Sequence, residues 1–352
     1  MKVLVLGGTG AMGRHLVRLL CQDGFEVDVT TRSKRKVEAT VERYLVGDAH
    51  DWLFLNDVLA NGSYDVVVDF MVWRTRDYSK VAKRFLSYAH QYIFVSSYRV
   101  YADAPVLTEE SPRLLDVCQD ETYLRTDEYA LAKARCEDIL RHSGSNGWTI
   151  VRPGITYDSS GRFQLGVLEA GSWLWRSTHG YSIAMPDELL RKRTTMTSGF
   201  DVACMIRGLV GKSSALGEAY NLATSESLLW SDVLRAYRSE IPVCISPCTT
   251  SQYEWAAQAP YQLRYDRMYN RVIDNSKVLE ATGLSQSDFL PACIGLSDSL
   301  HKFLDSGKQV TPLCGTNSRI DSLTRECCLG ALVQTGKPAP TIIKYIFGRL
   351  KR

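Results

Sequence analysis

Val3-Leu-Val-Leu6 runs straight into Gly7-Gly8-Thr9-Gly10-Ala11-Met12-Gly13, and apolar residues at helical spacing follow in Leu16, Val17 and Leu20. The order is buried strand, tight glycine turn, amphipathic helix. Glycine is required where a turn visits positive φ and where backbone approaches a ligand without an intervening Cβ. A helix that starts on such a turn offers unpaired N–H groups and the positive end of its dipole to an anion. A strand–glycine turn–helix unit of this kind predicts a dinucleotide site at Gly7, Thr9, Gly10, Ala11, Met12 and Gly13, with the outer glycines spaced GxxGxxG.

Working outward, apolar strand candidates recur at 26–30, 44–46, 65–70, 92–96 and 149–151, with helical patterns at 11–21, 80–89 and 128–141 between them. Alternation of this kind means βαβ units and a parallel sheet. The expected fold is α/β, a doubly wound parallel (Rossmann) sheet, with a smaller, mostly helical substrate lobe. The division expected is 1–155 for dinucleotide binding, 156–307 for a substrate lobe interleaved with the last sheet strands, and 308–352 for an irregular tail. A helix at 198–209, a strand at 219–222 and a helix at 228–238 belong to the middle segment.

The 352 residues are 45% hydrophobic, enough for a large core in two lobes, and the net charge of +3 is near neutral. No basic stripe with interleaved aromatics stands out, so nucleic acid is not an expected partner. The first strand begins at residue 2 and no apolar run approaches the ~18–20 residues of a membrane span, so the expectation is a cytoplasmic protein without a leader. Ten cysteines without paired CxxC spacing predict no zinc site, and most are expected to be small buried residues.

The second strand ends at Thr31-Arg32-Ser33-Lys34-Arg35-Lys36, where a site for NAD usually places an acid. Asp28 comes too early in the strand. A guanidinium there suits a 2′-phosphate, so Arg32 favours NADP over NAD, unless the run is only a solvated loop. Asp48, after the third strand, reaches either an adenine edge or a helix N-terminus.

Tyr129 and Lys133 are four residues apart, on one helix face. A phenol with its ordinary pKa of ~10 is a poor base at neutral pH, and an ammonium beside it favours the phenolate. Tyr92-Ile-Phe-Val-Ser-Ser97 is a strand ending in two serines, so Ser97 is expected beyond its carboxyl end, where open sheets bind ligands.

Those pieces, with Val100-Tyr101, Arg152-Pro153-Gly154, Asp201-Val-Ala203, Tyr220-Asn-Leu222 and Asp274-Asn-Ser-Lys277, come in the order of a known family across about residues 1–305. The chain resembles the extended short-chain dehydrogenase/reductase superfamily, in its NAD-dependent epimerase/dehydratase branch acting on nucleotide sugars. The resemblance implies Ser97 as polariser of the substrate oxygen, Tyr129 as acid/base and Lys133 as ribose-binding activator, with Met71 and Pro153 also at the cofactor. It further implies a nucleotide-sugar pocket in the second lobe. Dehydratases of this branch carry an Asp-Glu pair after the catalytic serine or threonine; Tyr98 and Arg99 stand there instead, which argues against dehydration.

Trp73, Ser97, Tyr98, Arg99 and Arg193 are the substrate-binding candidates. The run Trp173-Leu-Trp175-Arg176 is read either as a platform for a base and diphosphate or as core. The activities implied are a 4-keto reductase or a 4-epimerase. The alternatives are a reductase of small carbonyls and a non-catalytic, RNA-associated nucleotide binder. A homodimer is expected through the helices at 80–89 and 128–141. The cationic, apolar C-terminal segment is read either as packing on its own domain or sister subunit, or as a peripheral membrane contact.

Overall fold

Strand β1 (Lys2–Leu6) sends Val3 and Val5 to one side and Leu4 and Leu6 to the other, and all four are completely buried. Strand periodicity of two makes that the signature of a sheet covered on both faces. The structure, a computed structural model, describes residues 1–34, 42–334 and 339–350. Arg35 and Lys36 of the basic run, Pro338, and the terminal Lys351 and Arg352 therefore lie outside the described residues.

The chain forms two compact units. The first comprises Met1–Thr156, Thr197–Ser225 and Ile273–Phe289. Its sheet adds β2 (Glu26–Thr31), β3 (Glu42–Val46), β4 (Val66–Asp69), β5 (Gln91–Val95), β6 (Trp148–Pro153) and β7 (Glu218–Leu222). All seven strands are parallel, in the order β7-β6-β5-β4-β1-β2-β3. Helices α1 (Gly13–Gln22), α2 (Trp52–Gly62), α3 (Thr75–Tyr88), α4 (Tyr129–Arg141), α5 (Gly199–Leu209) and α6 (Ser276–Thr282) belong to this unit.

Val3, Val5, Val68 and Ile93 pack with Leu16, Leu20, Val202 and Ile206 of α1 and α5. Leu4, Leu6, Val67 and Phe94 pack with Leu55, Val81, Phe85 and Leu140 of α2, α3 and α4. The strand order reverses between β1 and β4, which places the ligand crevice of an open α/β sheet beyond their carboxyl ends.

The apolar dimer face expected on α3 is absent. Tyr78, Val81, Ala82 and Phe85 are all turned into the core, and Arg76, Asp77, Ser79, Lys80, Lys83 and Ser87 face outward. With Arg74 at the helix entrance also exposed, the first unit carries a basic patch that the linear sequence hides between apolar residues.

The second unit comprises Tyr157–Met196, Glu226–Val272 and Leu290–Arg352. It is mostly helical, with short two-stranded pairs such as Ile183–Met185 against Ile245–Pro247. Trp173 stacks on Tyr237 at 4.4 Å, and Trp175 is 2% exposed. Arg176 is buried too, with Nη1 2.8 Å from Asp321 and Nη2 2.7 Å from Glu326. This tryptophan run is core, not an exposed base platform.

The segment expected to be an irregular tail is helical instead, in Cys314–Thr324, Leu329–Gln334 and Ala339–Leu350. The cysteines also depart from expectation. Only Cys136, Cys314 and Cys328 are buried, while Cys244, Cys293 and Cys327 are exposed, and all ten are free thiols. Among the described residues, no group of acids, histidines and cysteines is arranged to hold a metal, and no helix is long and apolar enough to cross a membrane.

Candidate active site

The turn after β1 is built from glycines for distinct reasons. Gly7 sits at φ +69°, which L side chains rarely adopt. A Cβ on Gly13 would come within 2.6 Å of the Gly8 Cα, and one on Gly8 within 2.8 Å of the Val5 side chain. Gly8, outside the GxxGxxG frame, is thus a packing glycine as constrained as the others. The Gly7 N–H donates to the Thr30 hydroxyl at 3.2 Å, and the Gly10 N–H to the Gly7 carbonyl at 3.3 Å. Helix α1 then starts with no side-chain cap at Met12 and no acid in its first turn. The start of a ten-residue helix is left open to an anion.

A cleft of about 370 Å³ lies over this turn. Gly7, Thr9 and Gly10 form its floor, with Thr31 and Arg32 at the end of β2, Asp48 after β3, and Met71 and Val72 after β4. A bare glycine floor and an open helix start fit a dinucleotide's pyrophosphate. Asp48 does not cap α2; Asp51 does, accepting the Leu53 N–H at 2.9 Å. The Asp48 carboxyl accepts the His50 N–H at 3.0 Å, and this bond, with the His50 ring and Arg32 nearby, holds it below the usual carboxylate range. Asp28 is spent elsewhere, bound bidentately by Arg43 at 2.8 and 2.6 Å. Ala11 and Met12 enter α1, with the Thr156 hydroxyl 3.6 Å from Met12 Sδ, and Pro153 ends β6, buried.

A second cavity of about 620 Å³ shares His50 and Val72 with the cleft and is walled by Trp52, Trp73, Arg74 and Lys80. Trp73 is 5% exposed and its indole N–H donates to Asp69 at 2.7 Å. The completely buried Asp69 also accepts from Tyr92 at 2.7 Å and from the Met71 N–H at 2.8 Å. Burial pushes its carboxyl above the ordinary range against the pull of these donors and of Lys133. Asp69 therefore clamps the loop that lines both cavities. An acid closing the otherwise apolar Val66-Val-Val68 was the signal available in the sequence.

Helix α4 begins with Glu128 as its cap, whose carboxylate accepts the Ala130 N–H at 2.8 Å, so Tyr129 is the first helical residue. Lys133, one turn on, is 3% exposed. Its ammonium donates to the Val95 carbonyl at 2.6 Å and the Met71 carbonyl at 3.0 Å, and lies 5.9 Å from the Tyr129 ring centre. Two of its three N–H donors are used, which leaves one for a ligand at the Met71 side of the cleft.

Ser97 follows β5. Its Oγ accepts the Arg99 N–H at 3.2 Å, and its O–H is left to donate. The Arg99 guanidinium lies 5.3 Å from the Tyr129 ring centre and binds Glu128 at 2.6 Å. Among the described residues, no group hydrogen-bonds the half-buried Tyr129 hydroxyl. Ser97, Arg99, Tyr129 and Lys133 are thus one cluster, joined to the cleft through Met71. Tyr98 is turned into the core at 3% exposed. Arg193 belongs to the second unit, exposed, with its guanidinium on the Ser227 carbonyl at 3.1 Å.

The same face of α4 continues one turn further, to a residue that sequence reasoning missed. Glu137 is completely buried; it accepts Ser96 Oγ at 2.5 Å and binds Arg152 at 2.9 and 2.6 Å. Arg152 donates onward to the Tyr101 hydroxyl at 2.6 Å, and Tyr101 to Asn221 at 2.7 Å. The Asn221 amide donates to the Asp274 carbonyl at 3.2 Å. The pieces of sequence around Ser96, Tyr101, Arg152, Asn221 and Asp274 are physically one polar network. Counting i+8 from Tyr129 would have found its centre.

Comparison with known proteins bears on the family and the fold. A family model described as NAD(P)H-binding matches residues 7–184, just over half the chain. The chloroplast stem-loop binding protein of 41 kDa b from Arabidopsis thaliana is 23% identical over 250 residues, 67% of this chain and 62% of that protein. The UDP-glucose 4-epimerase of Lactobacillus helveticus is 26% identical over 171 residues, 45% of this chain and 49% of that protein. The chain thus spans about half to three-fifths of the curated relatives it matches.

Among solved structures, the UDP-glucose 4-epimerase of Bifidobacterium longum in complex with NAD+ and UDP shares the fold. Its TM-score is 0.66 at 18% identity, covering 87% of this chain and 98% of that one. The chain belongs to the NAD(P)H-binding family, and its fold is that of this UDP-glucose 4-epimerase structure.

Proposed function

We propose that this protein is an NAD(P)-dependent enzyme acting on a nucleotide sugar, as a 4-epimerase or a 4-keto reductase. The observation that carries the reading is the cluster of Ser97, Tyr129 and Lys133, joined through Met71 to the cleft over Gly7–Gly10. The dinucleotide, when bound, supplies hydride exchange at a sugar carbon. Tyr129 holds an unengaged hydroxyl, which takes the proton from the sugar alcohol or returns it to the ketone. Ser97 has an O–H to donate to the same oxygen. Lys133, anchored on two carbonyls, keeps one N–H for the ribose side of the cofactor.

Tyr98 and Arg99 stand where dehydratases of this branch carry an Asp-Glu pair, and the neighbouring Glu128 carboxylate is engaged by Arg99 and the Ala130 N–H, which supports epimerisation or reduction over dehydration. Arg32 lines the cleft beside Asp48 and supports NADP over NAD. The names of the similar proteins, UDP-glucose 4-epimerases, support a UDP-sugar as substrate.

The test is a panel of UDP-hexoses and their 4-keto forms, followed by NMR of the sugar and by NADPH absorbance. An epimerase returns the substrate's C4 epimer without net cofactor consumption; a reductase consumes NADPH in step with product. No turnover of any nucleotide sugar by protein that binds the dinucleotide defeats the proposal.

A second reading, binding of single-stranded nucleic acid, has one specific support. The basic patch of Arg74, Arg76, Lys80 and Lys83 adjoins Trp52, 41% exposed, and one similar protein is named a stem-loop binding protein. Arg76→Glu/Lys83→Glu, both outside the two cavities, should abolish a gel shift of a labelled RNA hairpin under this reading and leave sugar turnover unchanged.

A further inference from the structure

Helix Ala339–Leu350 is docked on the second unit by the wrong side for a soluble amphipathic helix. Its inner face is Tyr345, 1% exposed, which donates its hydroxyl to the buried Asp321 carboxylate, together with Gly348. Gly348 permits the close crossing over helix Cys314–Thr324: a Cβ there would fall on the Ser318 hydroxyl, and its next neighbour is the Gly315 carbonyl at 3.2 Å. Arg349 reinforces the contact, donating to the Tyr345 hydroxyl at 3.1 Å.

Three large apolar residues point the other way. Ile343 is 48% exposed, Ile346 45% and Phe347 60%, positions i, i+3 and i+4 of a single outward stripe. Val333, on the preceding helix, is 53% exposed. Leucine-like residues facing water while a tyrosine and a glycine face protein is the reverse of the usual arrangement, so the stripe has an external use.

Charge identifies what covers it. Lys344 stands exposed within the stripe. From Cys327 to the terminus the sequence holds Lys337, Lys344, Arg349, Lys351 and Arg352 and no acid at all. We propose that this helix docks on an anionic lipid bilayer, with Ile343, Ile346 and Phe347 in the acyl boundary and Lys344 among the headgroups. Two copies facing each other through this stripe would bring like charges together, with no acid from Cys327 onward to offset them. Three half-exposed side chains also fall far short of the ~800 Å² per partner that a stable interface buries.

The experiment is sedimentation of the full chain with vesicles of phosphatidylcholine alone or with about a quarter phosphatidylglycerol. Binding is expected on the anionic vesicles only, released by about 0.5 M salt. The exposed-face variant Ile346→Ser/Phe347→Ser should melt as the parent does and bind at least about tenfold more weakly. Lys344→Glu should weaken binding in the same direction. No binding to anionic vesicles, equal binding by the serine variant, or a serine variant that only breaks an oligomer in light scattering each overturns the proposal.

Discussion

Replacing Glu137 by Gln removes one charge from the centre of the first unit while changing almost no volume. In the parent, Glu137 is completely buried, its two oxygens held by Arg152 at 2.9 and 2.6 Å and by Ser96 at 2.5 Å, with Arg113 a further 3.6 Å away. Arg152 is 1% exposed, and its other partners are the neutral Tyr101 hydroxyl and the Glu109 carbonyl oxygen. The variant leaves that guanidinium buried without its counter-ion and turns an amide N–H₂ toward it. Breaking a buried pair in this way costs about 3–5 kcal/mol, a fifth or more of a typical domain's 5–15 kcal/mol.

The assay is urea unfolding at pH 7, in which the midpoint should fall while the slope m stays constant. The pH dependence has a definite sign. Burial pushes the Glu137 carboxyl up, but Arg152 pulls harder and the folded value lies below the ordinary one. A depressed carboxyl contributes stability that is present above its unfolded pKa of ~4.3 and lost as pH falls through the folded value. Gln does not titrate, so the gap between parent and variant should be full at pH 7 and close only as pH falls from ~4.3 through the lower folded value. A gap under ~1 kcal/mol at pH 7, or one that ignores pH, refutes the view that this ion pair anchors the network beneath Ser97.

Three further outcomes follow from the site. Tyr129→Phe should bind the dinucleotide as the parent does and lose ~10²–10⁴-fold in turnover, read by cofactor titration beside steady-state kinetics; near-native rates would remove Tyr129 from the chemistry. Arg32→Ala should raise the dissociation constant for NADPH more than for NADH, because only the former offers a 2′-phosphate; equal changes in fluorescence titrations would make Arg32 a solvated loop residue. Gly13→Ala should lower the melting temperature and weaken dinucleotide binding together, since its Cβ would meet Gly8 at 2.6 Å and overpacking of this kind costs about 1–3 kcal/mol; an unchanged melt would mean the turn relaxes freely.

The sheet and its cofactor turn were legible because they depend on local pattern. β1, β4 and β5 announce themselves as short apolar runs, β2, β3, β6 and β7 as shorter apolar patches, and the glycines after β1 sit where any strand-to-helix turn near a pyrophosphate needs them. Tyr129 and Lys133 were legible for the same reason: helical spacing alone sets them on one face. What sequence could not show was burial and partnership. Tyr98 and Arg99 are neighbours in the chain, yet one enters the core and the other reaches Glu128. The helix at 80–89 looked apolar enough for a dimer face until folding turned its apolar side inward and left Lys80 and Lys83 outside.

By itself, then, the sequence determined the parallel α/β fold, the dinucleotide turn and the tyrosine–lysine helix, since each follows from residue spacing within one or two elements. Tertiary structure alone decided which partners the buried acids and bases find. Asp69 receives Trp73, Tyr92 and Met71, Glu137 receives Arg152, and Arg176 meets Asp321 across 145 positions of sequence. It also decided that the C-terminal helix turns Tyr345 inward and Phe347 outward. A buried charge is tolerated only beside its partner, and an amphipathic face is chosen only by what it packs against. Both are distances in space, which no linear pattern encodes.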